Sequence, residues 1–203
     1  MSEVLAGEGR QSLPMGSIGT SASGWWGAWF LIISDSMIFA YLFFAYFWYS
    51  IQPDAHWVPG GPPSFTYSAP QCVVVLLGCG SAWYAHRSIN RNERSATLLG
   101  LGVTVILGAI FIALQFVDWS SKPFGFASST YSSIYFVITG THLAHFAVGF
   151  LIFVMVLIWT MLGYFDRTRH VPIAVASLYW YFLAATWLSV FFVINVTPYF
   201  YQG

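Results

Sequence analysis

Two histidines, His142 and His145, stand three residues apart in the apolar string TGTHLAH. Residues at i and i+3 share one face of a helix, so the two imidazoles could bind a metal ion together. Two ligands do not complete a metal site, and Asp35, Asp118 and two cysteines, the nearest further candidates, fall on other predicted helices. The favoured interpretation is therefore hydrogen bonding to another helix or to a lipid headgroup. No set of ligands for a redox centre is evident.

A carboxyl group, Asp35, follows ten residues after Trp25 in a long apolar segment. This spacing places it about 15 Å along a helix, near the centre of a bilayer. A charged side chain is costly there, so we expect Asp35 to hold its proton. Two interpretations stay open: a carboxyl that takes part in proton movement or partner binding, and a neutral acid that joins two helices by a hydrogen bond.

A second polar pair, Gln115 and Asp118, occurs in the string ALQFVDW near the end of the third apolar segment. Their i, i+3 spacing places both side chains on one helix face. We expect them to make polar contacts to other helices or to lipid, with Asp118 at the membrane interface. The sequence assigns neither a catalytic residue nor a metal site.

The composition requires a membrane around these polar groups. The 203 residues are 58% hydrophobic and 20% aromatic, and only 7% are charged, whereas roughly a quarter of the residues of a soluble domain are charged. Such a chain lacks the polar side chains needed to cover a soluble fold, so lipid must surround most of it. With seven basic and seven acidic residues, nothing indicates binding to nucleic acid.

Five apolar segments are long enough to cross a hydrocarbon core of about 30 Å. We predict an all-α membrane protein, a bundle of five transmembrane helices that forms one domain over residues 24–203, preceded by a flexible cytoplasmic segment over residues 1–23. Gly140 and Ala144 form a pair of small residues that should let two backbones approach closely. The predicted spans are residues 25–49, 69–86, 96–119, 131–164 and 172–200.

The distribution of basic residues predicts the orientation. Lysine and arginine are concentrated on the cytoplasmic side of membrane proteins. With the N-terminus in the cytoplasm and the C-terminus in the periplasm, Lys122 alone among the seven basic residues lies outside. The six that then lie inside are Arg10, Arg87, Arg91, Arg94, Arg167 and Arg169.

Four strings occur in a fixed order along the chain: FLIISDSMIF, ALQFVDW, YFVITGTHLAHFAVG and SLYWYFLAATWLSVFF. Together they resemble subunit III of the haem–copper terminal oxidases, a family that includes cytochrome c oxidases and quinol oxidases. That family has an I-S-[E/D] helix, a Q-x-x-E-[Y/W] element, a T-G-x-H-G-x-H helix and a final Y-W-H-F-x-D-x-x-W-L helix. The resemblance extends from about Trp25 to the end and is greatest to the five-helix bacterial form.

The resemblance implies a supporting role in a bacterial cytoplasmic membrane. Subunit III carries no cofactor, and the haem and copper that reduce O2 belong to subunit I, the main partner. Subunit II and a small subunit IV are further expected partners, together with bound phospholipid. The resemblance places Asp35 at the intramembrane carboxyl of the family. The implied function is to sustain proton uptake and proton translocation by subunit I through packing and bound lipid.

The chain also departs from the family pattern. Leu143 replaces the inner glycine of the histidine motif, Tyr181 replaces a histidine, Ala184 replaces an aspartate and Asp118 replaces a glutamate. An accessory subunit of a nitric-oxide reductase shares the same architecture and remains an alternative. A small membrane transporter acting alone, and a metal-bearing oxygenase or haem-anchor subunit, are alternatives from other classes.

Overall fold

The computed structural model describes residues 23–52, 57–58, 63–165 and 170–201. These residues form helices and connections, without any strand, so the predicted all-α class with five long helices is confirmed. Residues 1–22 of the predicted flexible segment, and with them Arg10, lie outside the described residues, as do Arg167 and Arg169. The helices are α1 (Ser23–Ser50), α2 (Ser68–Asn90), α3 (Arg94–Ser120), α4 (Thr130–Met161), α5 (Val171–Phe191) with a π-helical turn (Phe192–Val196), and a short α6 (Pro198–Tyr201).

Four of the long helices have the length and the apolar composition needed to cross a membrane: α1, α3, α4 and α5 with its extension. Helix α2 has 23 residues, or about 34 Å, which is also long enough. It is less apolar than the others because it contains polar side chains such as Ser68 and Gln71, which it buries against its neighbours. The chain is a multi-pass membrane protein.

Large apolar side chains cover the outside of the bundle, most of all on α1. Only 11% of the most apolar stretch of α1 is buried inside the bundle. Phe30, Met37 and Tyr41 are each about 70% exposed on this helix (70%, 68% and 70%). Because contiguous apolar surfaces of this size are rare on soluble proteins, hydrocarbon is the natural surrounding of this face.

Close contacts between helices occur where glycine removes the side chain. A Cβ atom on Gly78 would lie 2.6 Å from the indole of Trp180, and one on Gly100 would lie 2.9 Å from the backbone nitrogen of Ala85. Helices α2 and α3 are antiparallel neighbours joined by a tight turn in which Asn92 has a φ of 61°. Gly78 and Gly100 thus lie in the bundle interior, where the helices approach each other closely.

The predicted close approach at Gly140 and Ala144 was wrong for the described part of the chain. A Cβ on Gly140 would meet only the Trp119 ring, at 3.9 Å, and Ala144 is exposed. The tight contact of α4 occurs at Gly149, where a Cβ would lie 2.5 Å from Leu183 of α5. Small-residue spacing alone could not tell which side of α4 faces the bundle.

Both ends of α4 are fixed by polar contacts. Ser129 and Ser132 form a reciprocal capping box at the first turn, which satisfies two backbone donors. At the other end, the Arg94 Nη2 donates to the carbonyl oxygen of Met161 over 2.7 Å. The cation thus meets the negative end of the helix dipole. These contacts position α4, which carries both histidines of the predicted motif.

Candidate functional site

Asp35 and His145 face each other between α1 and α4. Asp35 Oδ2 lies 3.6 Å from His145 Nε2, and their side chains are 13% and 19% exposed, respectively. This separation is longer than a direct hydrogen bond but short enough for a strong electrostatic interaction in an apolar medium. The structure therefore brings together two residues that the sequence placed on separate helices without pairing them.

A contact of the other ring nitrogen of His145 determines the tautomer of the ring, and so whether Nε2 carries a hydrogen or a lone pair toward the carboxyl group. Nδ1 lies 2.7 Å from the carbonyl oxygen of Thr141. Because a carbonyl oxygen only accepts, Nδ1 donates its hydrogen to Thr141, and Nε2 of the neutral ring presents a lone pair to Asp35. One proton can reside either on the Asp35 carboxyl or on His145 Nε2, and the pair has no net charge in both states.

His142 points away from this pair, into the centre of the bundle. Its side chain is fully buried (0% exposed), and its Nε2 donates to the carbonyl oxygen of Leu183 over 3.1 Å. The rings of Phe111 and Trp187 lie around it, with centroids 5.7 Å and 5.0 Å from the imidazole. The i, i+3 spacing of the two histidines therefore does not produce a shared site, because each ring is held by a different neighbour.

Phe39 separates the two histidine environments. It lies one turn after Asp35 on α1 and is 2% exposed. Its ring centroid is 6.2 Å from that of His142 and 5.5 Å from that of His145. Among the described residues, no group of three or more histidine, cysteine, aspartate or glutamate side chains could hold a metal ion. The geometry is that of a polar helix contact.

Asp118 forms a second polar cluster at the end of α3. Tyr135 of α4 donates its hydroxyl to Asp118 Oδ2 over 2.5 Å, and Lys122 Nζ lies 2.9 Å from Oδ1. Lys122 also lies 5.3 Å from the centre of the Tyr135 ring, in cation–π range. Asp118 is only 5% exposed, so its carboxylate is largely removed from water. The Lys122 cation and the Tyr135 hydroxyl offset the cost of this desolvation.

Gln115, one turn before Asp118, meets a partner that the sequence did not indicate. Gln71 of α2 donates its Nε2 to Gln115 Oε1 over 3.0 Å. Both side chains are 0% exposed. The amide pair thus joins α2 and α3 inside the apolar bundle.

A cavity of about 360 Å³ opens where α1, α2 and α5 meet. His86 and Asn90 of α2 line one part, Val171 and Leu178 of α5 line the wall, and Tyr181 lines it further along α5. The rings of His86 and His170 lie 6.0 Å apart, between centroids. Polar groups at one end and apolar walls along the helix suit an amphipathic molecule.

Sequence reasoning singled out none of Gln71, Tyr135, Lys122 or His86 as a site residue. Gln71 carried a usable signal, because an amide in an apolar segment needs a partner. Tyr135 and His86 gave no signal in the sequence, since a tyrosine or histidine near the end of a span is common. Of the residues that depart from the family pattern, Tyr181 lines the cavity and Ala184 is buried at 4% exposure.

Comparisons with known proteins match most of the chain. The family model for cytochrome c oxidase subunit III matches residues 20–201. Cytochrome c oxidase subunit 3 of Drosophila melanogaster is 32% identical over 176 residues, 83% of this chain and 67% of the relative. The subunit 3 of Petromyzon marinus is 33% identical over 173 residues, 82% of this chain and 66% of the relative. The subunit 3 of Synechocystis sp. is 29% identical over 174 residues, 83% of this chain and 73% of the relative. The chain thus spans about two thirds of the length of its animal relatives.

Proposed function

Since the chain belongs to the cytochrome c oxidase subunit III family, a family of haem–copper terminal oxidase subunits, we propose that it supports subunit I of a bacterial terminal oxidase without catalysis of its own. Membership implies association with the oxidase complex. Haem and copper reside in subunit I, and subunits II and IV complete the assembly. The chain packs against subunit I, holds phospholipid and helps to sustain proton uptake while O2 is reduced.

The single observation that carries this proposal is the contact between Asp35 and His145. The pair lies between two helices in the predicted interior of the membrane, and one edge of it remains open to the surface. With a single shared proton it has no net charge, and either residue can hold that proton. Moving this proton from one residue to the other leaves the net charge of the pair unchanged, whereas an isolated intramembrane carboxyl that releases its proton leaves an unpaired charge in the membrane.

Bound phospholipid is proposed for the cavity between α1, α2 and α5. An acyl chain would lie along Val171, Ala174 and Leu178, and the helix rises about 15 Å between Val171 and Tyr181. The polar headgroup would lie beside His86 and Asn90, which are in the last turns of α2. The apolar wall and the polar end match the two parts of a phospholipid.

We further propose the bacterial cytoplasmic membrane as the location, with the N-terminus inside. Arg87, Arg91 and Arg94 lie around the connection between α2 and α3, and Lys122 lies at the opposite end of α3. Because positive charge is concentrated on the cytoplasmic side, the end with the three arginines faces the cytoplasm.

The test replaces Asp35 with asparagine in the assembled complex. We expect Asp35→Asn to keep the initial rate of O2 consumption and to lose activity faster during continuous turnover. Asparagine has nearly the same shape but carries no titratable proton. Ser34→Ala is the matched control, because Ser34 is the exposed neighbour whose hydroxyl bonds only to the Leu31 carbonyl in the described chain. Equal lifetimes for Asp35→Asn and Ser34→Ala would reject a role of the pair in proton uptake.

A further inference from the structure

A buried polar layer crosses the bundle at the level of Gln71 and Gln115. Gln71 lies in the first turn of α2, and Gln115 lies near the end of α3. Each is 0% exposed. One hydrogen bond of 3.0 Å joins them, from Gln71 Nε2 to Gln115 Oε1. Each amide can form more hydrogen bonds than this one, so the pair leaves polar atoms that need partners.

Trp187 of α5 and His142 of α4 are two further polar side chains in the core, and contacts connect them to residues next to this layer. The thiol of Cys72, the residue after Gln71, lies beside the Trp187 indole. The ring of Phe111, one turn before Gln115, has its centroid 5.0 Å from that of Trp187. The centroid of the His142 ring also lies 5.0 Å from that of Trp187. Contacts through Cys72 and Trp187 therefore connect the segment that carries Gln71 to His142 in the core.

Three atoms of this layer have no hydrogen-bond partner in the described part of the chain: Gln71 Oε1, Gln115 Nε2 and His142 Nδ1. A fourth is Trp187 Nε1, which lies beside the Cys72 thiol, and sulfur is a weak acceptor. Because His142 Nε2 donates to a carbonyl oxygen, His142 Nδ1 of the neutral ring is an acceptor. The set thus contains two donors and two acceptors.

We propose that the layer binds ordered water, and that one molecule bridges the two glutamines. This water accepts a hydrogen bond from Gln115 Nε2 and donates one to Gln71 Oε1. Rotating both amides by 180° keeps one hydrogen bond between them and again leaves one donor and one acceptor without a partner. A different rotation of the amides therefore does not supply the missing hydrogen bonds. A buried polar atom without a partner is costly, and buried water is the usual way to satisfy such groups.

The direct test is a structure of the purified oxidase complex that resolves ordered water. We expect a water within hydrogen-bond distance, about 2.7–3.2 Å, of both Gln115 Nε2 and Gln71 Oε1. Two amides paired by two parallel bonds, or a gap without density between the unpaired atoms, would overturn the proposal.

Infrared spectroscopy gives a second readout on the same complex. The O–H stretching region is compared after exchange into normal water and into oxygen-18 water, so that only bands of water shift. The variant Gln71→Met with Gln115→Met should lose a shifted band that the native complex shows. Gln52→Met should keep it, because Gln52 is exposed and its side-chain amide bonds only to the Trp48 carbonyl in the described chain.

The outcomes separate clearly. A shifted band that persists unchanged in the double variant would contradict the glutamine-bound water. Should the double variant fail to assemble, the density between Gln71 and Gln115 in the native complex decides.

Discussion

The Tyr135 hydroxyl lies 2.5 Å from Asp118 Oδ2 and donates to it, which joins α4 to the end of α3. Lys122 approaches the other oxygen of the same carboxylate. The cluster closes one end of the bundle, where the chain turns from α3 into α4. It thereby fixes the position of α4 and, with it, of both histidines.

Removing the Tyr135 hydroxyl should destabilise the protein. We expect Tyr135→Phe to lower the free energy of unfolding by about 1–2 kcal/mol, since a hydrogen bond to a buried charged group is lost. Thermal unfolding in mild detergent measures the change. Tyr41→Phe is the control, because Tyr41 is 70% exposed, and an equal loss in both variants would contradict the role of the bond to Asp118.

Gly78 should tolerate no side chain. A Cβ there would lie 2.6 Å from the Trp180 ring, so Gly78→Ala should lower the free energy of unfolding by about 1–3 kcal/mol through overpacking. Gly80→Ala is a close control on the same helix, since a Cβ at Gly80 meets nothing within 4 Å. If both alanine variants unfold alike, the described contact of α2 with α5 is incorrect.

The contact between Asp35 and His145 predicts an energetic coupling. Asp35→Asn and His145→Gln, made singly and together, form a double-mutant cycle. We expect their effects on the free energy of unfolding to be non-additive by about 1 kcal/mol, because each change removes the same interaction. Strict additivity would show that the two side chains do not interact in the folded protein.

The histidines are expected to bind no metal. Metal analysis of the purified complex should give the same content for the native chain and for His142→Ala with His145→Ala, because the two rings have different neighbours. Loss of one metal ion per complex on replacing both would overturn this assignment.

The proposed lipid site predicts that His86 affects lipid retention. His86→Ala should lower the amount of phospholipid that remains bound to the complex after washing with detergent, as measured by mass spectrometry. Ser95→Ala is the control, because Ser95 is exposed near the same end of the bundle and does not line the cavity. Unchanged retention in His86→Ala would remove the headgroup contact from the proposal.

The sequence predicted the helices well because a helix that crosses the bilayer must be apolar over about 20 residues. It did not predict where α4 ends or where the hydrogen-bond pattern of the fifth helix changes. The fourth was predicted to continue to residue 164, but α4 ends at Met161 and Gly163 takes a φ of 82°. The fifth was predicted as one continuous span, but a π-helical turn begins at Phe192, where the Thr197 N–H donates to the Phe192 carbonyl.

The polar partners could not be predicted because they depend on helix rotation and register. Every span is apolar nearly all round, so hydrophobic periodicity does not show which side faces inward. Gln115 was identified as a polar contact, but its partner Gln71 is known only once α2 and α3 are placed side by side. In the same way, His142 and His145 share a helix face in sequence and yet make their polar contacts to different helices, α5 and α1.

The most direct test of the central claim is to purify this chain by an affinity tag in mild detergent and to record its visible spectrum after reduction. Membership of an oxidase complex predicts that larger subunits come with the chain and that the spectrum shows bands of reduced haem. A colourless chain that comes out alone, under conditions that keep known oxidase complexes intact, would contradict the proposal that it supports subunit I.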